Sequence, residues 1–175
     1  MTDRYNLERF VQAQDPVFEQ VRAELERGRK QSHWMWFIFP QIQGLGQSYM
    51  ATKFAISSRE EAEAYLNHPI LGPRLRKCTQ LLLNVESREI ADILGYPDDL
   101  KFRSSMTLFA EATQDNQIFT DALQKYFDGE PDPLTLELLR AKSGSPISCP
   151  SAPRLPVAPG LREIRAMRLL QSRCA

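Results

Sequence analysis

Seven consecutive bulky residues, His33-Trp34-Met35-Trp36-Phe37-Ile38-Phe39, constrain the fold of this chain more than any other feature. The run is too short to cross a bilayer and too apolar for a solvated loop, so most of it must be buried. Its flanks are polar: Gly28-Arg29-Lys30 precede it, and Pro40 leads into a loop, Gln41–Ser48, that holds Gly44 and Gly46. Burying the run therefore draws Lys30, His33 and that loop together. Ser32 as an N-cap favours a short helix, whereas the aromatic content and Pro40 would also suit a strand. The helix is preferred.

Elsewhere the punctuation is helical. Asn6 is expected to cap a short helix with Leu7, Phe10 and Val11 inward. Asp15-Pro16 opens a helix with Val17, Val21 and Leu25 on one face, stopped by Gly28. Ser58 with Glu61 reads as a capping box, and His68-Pro69 as a turn capped by a side chain. Pro73 begins a helix carrying Leu75, Cys78 and Leu82. Ser87 caps another that ends at Gly95. Asp98 or Asp99 caps a segment through Ala112, Asn116 one that stops at Gly129, and Asp132-Pro133 starts a last helix through Leu139. Alternating β-branched runs joined by a hairpin turn are lacking. The expected fold is mainly α: a compact orthogonal multi-helix single domain with a short aromatic-rich segment and a C-terminal tail outside the core.

Composition sets the tail apart. The formal charge is zero, yet residues 140–175 hold seven basic residues and one acidic, leaving residues 1–139 with 15 basic and 21 acidic. Five of the twelve prolines fall between Pro146 and Pro159. The division is thus 1–139, a helical domain, and 140–175, a Pro/Ser/Arg-rich tail expected to be disordered or loosely attached. Within it, Gly160 to Cys174 can form a short basic amphipathic helix, and binding to nucleic acid is expected only through this tail. The three cysteines, Cys78, Cys149 and Cys174, suit neither a zinc motif nor a disulfide framework. No transmembrane run or secretory signal is read, and the expected compartment is the cytoplasm.

Lys30 and His33, at the mouth of the aromatic run, are suited to an anion: the lysine with Arg29 beside it, the imidazole as donor or acid/base. Gly44 and Gly46 add backbone N–H groups, Ser48 caps the next helix, and Gln41 begins the loop. Trp34 and Trp36 offer flat walls. Lys101, Arg103, Ser104, Ser105 and Thr107 form a second polar cluster, and serines inside a helix need a reason: close packing, or the lining of a cleft opposite Lys30 and His33. Asp98-Asp99 is read as helix capping, and Cys78 as a buried, inert thiol. No metal site is read, and no cofactor is expected.

Gly28-Arg29-Lys30, Ser32 through Gln41 and Gly44-Leu45-Gly46 resemble the hallmark block of a bacterial and fungal family, domain of unknown function 1810. Phe54-Ala55-Ile56-Ser57, Ala64 through Leu75, Lys101 and Ser104 through Phe109 extend the resemblance over roughly residues 5–139. It implies a compact, mainly α-helical domain with no established activity. Members sometimes carry the label calpastatin, but such inhibitors are disordered repeat proteins, and this chain has neither repeats nor that composition.

Two functions are expected from these residues. One is a basic, aromatic cleft that binds or hydrolyses a small phosphorylated or nucleotide-derived ligand, such as an ADP-ribose derivative. His33 would then act as acid/base in metal-independent cleavage of a glycosidic or phosphate bond. The other is a non-catalytic module with a protein partner, the aromatic block forming a groove for a peptide or helix.

Overall fold

The computed structural model describes residues 3–143, and the punctuation there resolves into ten helices: α1 (Glu8–Gln14), α2 (Phe18–Glu26), α3 (Met35–Ile38), α4 (Tyr49–Lys53), α5 (Arg59–Asn67), α6 (Leu71–Asn84), α7 (Ile90–Leu94), α8 (Asp98–Ala112), α9 (Gln117–Phe127) and α10 (Pro133–Lys142). No strand occurs among the described residues, only one parallel bridge between Ile42 and Ile56. The amphipathic segment from Gly160, Cys149 and Cys174 lie outside the described residues.

Helix α8 is central, packing against α5, α7, α9 and α10. It buries Phe102, Met106, Leu108, Phe109 and Ala112 together with Ser104, Ser105 and Thr107. A helix covered this fully needs small side chains where neighbours come close, which accounts for the serines. Thr107 Oγ1 donates back to Arg103 O of its own helix at 2.9 Å, while the one Ser104 hydroxyl proton is shared between Leu100 O at 3.1 Å and Asp132 Oδ2 at 2.9 Å. Ser105 is fully buried and its Oγ finds no partner among the described residues.

The aromatic run is core. Trp34, Met35, Phe37, Ile38 and Phe39 are buried, Trp36 is half-exposed and His33, at the head of the run, is exposed. Phe39 meets Phe102 edge-on with ring centroids 4.9 Å apart, and Phe37 meets Phe54 at 5.4 Å. Such edge contacts fix ring orientation beyond what burial alone would do. Glu24, on α2, anchors the run. Its carboxylate accepts from the N–H of Gln31 (2.8 Å) and Ser32 (3.1 Å), from Ser32 Oγ (2.6 Å) and from the Trp34 indole N–H (2.8 Å).

Several caps differ from expectation. Asn6 has φ +51° and caps nothing; Asp3 accepts from Leu7 and Glu8 N–H instead. Ser87 likewise sits at φ +56°, outside α7. Ser32 gives its hydroxyl to Glu24 rather than to α3. Neither Asp15 nor Asn116 bonds its helix as a cap, and Asp98 and Asp99 lie inside the first turn of α8, with no side-chain cap present. Ser58, His68 and Asp132 do cap, through Glu61 N–H (3.3 Å), Leu71 N–H (3.3 Å) and Thr135 N–H (3.2 Å). Helix α10 runs past Leu139 to Lys142.

Cys78 lies on the buried face of α6, and burial pushes its thiol up to about 12. Since only the thiolate reacts, Cys78 should stay unmodified by iodoacetamide in the folded protein and react on denaturation. Peptide mass spectrometry reads this directly, and rapid native labelling would contradict the packing.

Candidate functional site

A cavity of about 570 Å³ opens between the α3–α4 loop, the first turns of α8 and the start of α10. That volume lies within the roughly 300–1,000 Å³ typical of small-ligand pockets. Trp36, Leu45, Ala51, Pro97, Leu100 and Leu134 supply apolar wall; Gln41, Gln47, Ser48, Lys101, Arg103, Ser104 and Asp132 supply polar groups.

Local structure fixes each wall. The loop is held by Ile56 N–H donating to Gln41 O (2.9 Å) and Gln43 N–H donating to Ile56 O (2.8 Å). It then turns tightly at Gly46, where a Cβ would stand 2.5 Å from the Ala51 Cβ. Only glycine allows that approach. The N–H groups of Gly46 and Gln47 donate to no protein group among the described residues. The α10 wall is tied to α8: Ser104 Oγ donates to Asp132 Oδ2 (2.9 Å), and Arg103 donates to Glu130 O (2.9 Å) and Pro131 O (3.2 Å).

The electrostatics centre on Asp98. Its two oxygens take the ammonium of Lys30 at 2.8 Å and that of Lys101 at 2.6 Å. Burial works against its charge, but hydrogen bonds from Lys101 and Lys30 outweigh that and hold the carboxyl below its usual range. Each ammonium also faces an indole, Lys101 at 4.9 Å from the Trp36 centroid and Lys30 at 5.4 Å from that of Trp34. Two cations share one carboxylate, so the cluster keeps a positive surplus beside the cleft.

Of the residues expected at a site, Trp36, Gln41, Gly46, Ser48, Lys101 and Ser104 line this cavity. The rest do not. Lys30 is mostly buried behind Asp98, its N–H donating to Ile93 O, and acts on the cleft only through the shared carboxylate. His33 is exposed, makes no hydrogen bond to a described residue and is not among the residues lining the cavity. Trp34 is sealed in the core and gives its indole N–H to Glu24, which leaves no face for stacking. Gly44 lies against Leu138, and Ser105 is sealed inside α8 packing. Ser48 caps α4 through Ala51 N–H at 3.1 Å, but α4 spans five residues, too short for a helix field to gather an anion. The reading of Asp98 as a cap is corrected: it is the counter-ion of both lysines.

Sequence reasoning missed Leu45, Gln47, Ala51, Pro97, Leu100, Asp132 and Leu134 as lining residues. Their only signal is proximity to Lys101 and to the loop, and the α8–α10 contact that brings Asp132 and Leu134 in is long-range.

The model of the family described as "protein of unknown function (DUF1810)" matches residues 4–139. The chain belongs to this family. Every residue lining the cavity, from Trp36 to Leu134, falls inside the part matched by the DUF1810 model. A crystal structure of a conserved hypothetical protein from Mycobacterium tuberculosis is similar, with 55% sequence identity and a TM-score of 0.78. The alignment covers 79% of this chain and 99% of that one. No curated protein matches at a significant level. No helix among the described residues is long and apolar enough to cross a membrane.

Proposed function

We propose that the cleft between the α3–α4 loop, α8 and α10 binds a small anionic ligand with a planar or apolar body, of the phosphorylated or nucleotide-derived class. One observation carries this reading: Lys101 stands over Trp36 in a cavity of ligand size, within a cluster that has one more cation than anion. Lys101 receives the anion. Leu45, Leu100, Leu134 and Pro97 cover the body, and the amides of Gln41 and Gln47 reach its polar edge. The ammonium covers one face of Trp36, so a ring stacks there only as Lys101 swings toward the anion.

The site is read as a binding site. Hydrolysis would need an acid/base, and His33, the residue expected to supply it, is not among those lining the cavity. The hydroxyl of Ser104 and the carboxylate of Asp132 are engaged with each other and with Thr135.

Thermal shift with AMP, ADP-ribose, NAD and inorganic phosphate tests the reading. A ligand present at a hundredfold excess over its Kd stabilises by about 2.7 kcal/mol, roughly 5–10 °C for a domain of this size. Lys101→Met should weaken binding about tenfold or more, and raised salt should weaken it further. Trp36 fluorescence should respond, and Trp36→Phe should remove the response. If none of these compounds shifts the midpoint at millimolar concentration, or if Lys101→Met binds them unchanged, the reading fails.

A further inference from the structure

We infer that the ligand of this cleft carries a pair of neutral hydroxyl groups one ring away from its anion, as a ribonucleotide does, and that Asp132 Oδ1 accepts from them. The assignment rests on the reading of the cleft as an anion site and specifies the part of the ligand next to the anion.

The starting observation is a carboxylate in the wall of a cavity whose charge surplus is positive. Asp132 lines the cleft, half-buried, at the start of α10. Its Oδ2 takes three donors: Ser104 Oγ (2.9 Å), Thr135 Oγ1 (2.5 Å) and Thr135 N–H (3.2 Å). Its own N–H donates to Thr107 Oγ1 at 2.8 Å. Oδ1 accepts from no described residue. Capping of α10 uses Oδ2 alone, and Ser or Asn would cap as well, so capping does not explain a charged second oxygen in a cavity wall. Backbone and one oxygen are tied down, which leaves the other as a pre-organised acceptor.

The helix sets the spacing. Lys101 and Ser104 are three residues apart on α8, so their Cβ atoms lie about 5–6 Å apart on one face. Ser104 in turn holds Asp132. Cation and acceptor therefore flank the same stretch of wall, and a ligand that uses both has its anion and its donors about one ring apart. A nucleoside 5′-phosphate has that plan, with the sugar between the phosphate and two vicinal hydroxyls. A carboxylate oxygen has two lone pairs, so Oδ1 can accept from both.

Charge selects hydroxyl over ammonium. Arg103 lines the same wall and offsets Asp132, so the surplus left by Lys30, Lys101 and Asp98 stays with the cleft. A ligand with an ammonium beside its anion gains nothing from that surplus, whereas an anion bearing neutral hydroxyls does. The apolar wall of Leu45, Leu100 and Leu134 then covers the base.

The test titrates the full chain with AMP, 2′,3′-dideoxy-AMP, ribose 5-phosphate and phosphoethanolamine. Wild type should bind AMP about ten- to a hundredfold more tightly than dideoxy-AMP, the range for hydrogen bonds to a charged group. Asp132→Asn keeps an N-capping oxygen and replaces the second acceptor with a donor, so it should stay folded and bring AMP down to the level of dideoxy-AMP. AMP and dideoxy-AMP that bind wild type alike overturn the inference, and this comparison needs no variant. So does a preference for AMP that survives Asp132→Asn, or an equal loss of both nucleotides, which would make Asp132 a prop for the wall. Tighter binding of phosphoethanolamine than of ribose 5-phosphate would show an ammonium on the carboxylate and overturn it too. In each of these cases Lys101-dependent binding leaves the cleft reading standing; binding of none of the four compounds ends both.

Discussion

Glu24→Ala should lower the thermal midpoint by about 10–20 °C, from a loss of roughly 3–5 kcal/mol. Five donors converge on this one buried carboxylate: the Gln31 and Ser32 N–H groups, Ser32 Oγ, the Trp34 indole and, from the more exposed side, the Gln20 amide. Alanine leaves all five without this acceptor, and a buried unpaired donor costs about 1–3 kcal/mol, offset in part by entering water. The loss falls on the turn that delivers Lys30 and the aromatic run, so the cleft should loosen as well. Calorimetry decides it; a fall of only a degree or two would mean that the carboxylate is not the anchor.

The same group sets an acid limit. Burial raises the Glu24 pKa, but the hydrogen bonds from Ser32, Gln31 and Trp34 prevail and hold it at about 2, against 4.5 unperturbed. Its folded pKa is depressed, so its contribution is complete above the unfolded value and disappears as pH falls through about 2. A difference of that size corresponds to about 3 kcal/mol. Glu24→Gln keeps the shape and removes the titration. The midpoint of that variant should start lower at neutral pH and fall less between pH 4.5 and 2 than the wild type.

Gly72→Ala should also destabilise strongly, by about 5–15 °C, although helix propensity alone predicts a gain of about 1 kcal/mol. Gly72 sits in the first turn of α6, where α5 ends against it. A Cβ there would stand 2.0 Å from the Leu66 carbonyl oxygen and 2.8 Å from its carbon. Both atoms are backbone, so no side chain can rotate away. The helices must separate, and overpacking of this kind costs about 1–3 kcal/mol or more, which exceeds the propensity term. A raised midpoint would show that α5 and α6 are further apart than described.

The fold was legible wherever the signal is local. Ser58, Asp132, Gly28 and Gly95 act within a turn or two of themselves, and each starts or stops a helix where composition and spacing place it. Asn6 and Ser87 look like caps in sequence, yet both adopt a left-handed backbone that places them in the turn before the helix. Ser32 misleads for another reason, because a carboxylate eight positions earlier takes its hydroxyl. The site was half legible. Lys101, Trp36 and Gln41 stand out by type, and they meet. Lys30 and His33 are three residues apart but differ in surroundings, one paired with Asp98 and mostly buried, the other exposed to water. Asp98 looked like a cap because one of its two partners, Lys30, is 68 residues away. Asp132 and Leu134 arrive from a helix that no local pattern ties to α8.

Lys101 therefore waits with a negative partner already in hand. A ligand of the proposed kind would not dock onto a bare charge; it would trade places with Asp98, and Lys30 would keep the displaced carboxylate from being stranded. Dilute buffer ions, offering nothing but charge, gain little from such a swap, whereas a molecule that also covers apolar wall tips it. Departure is eased by the same partner, ready to retake the ammonium, so occupancy should turn over quickly and follow ligand concentration closely.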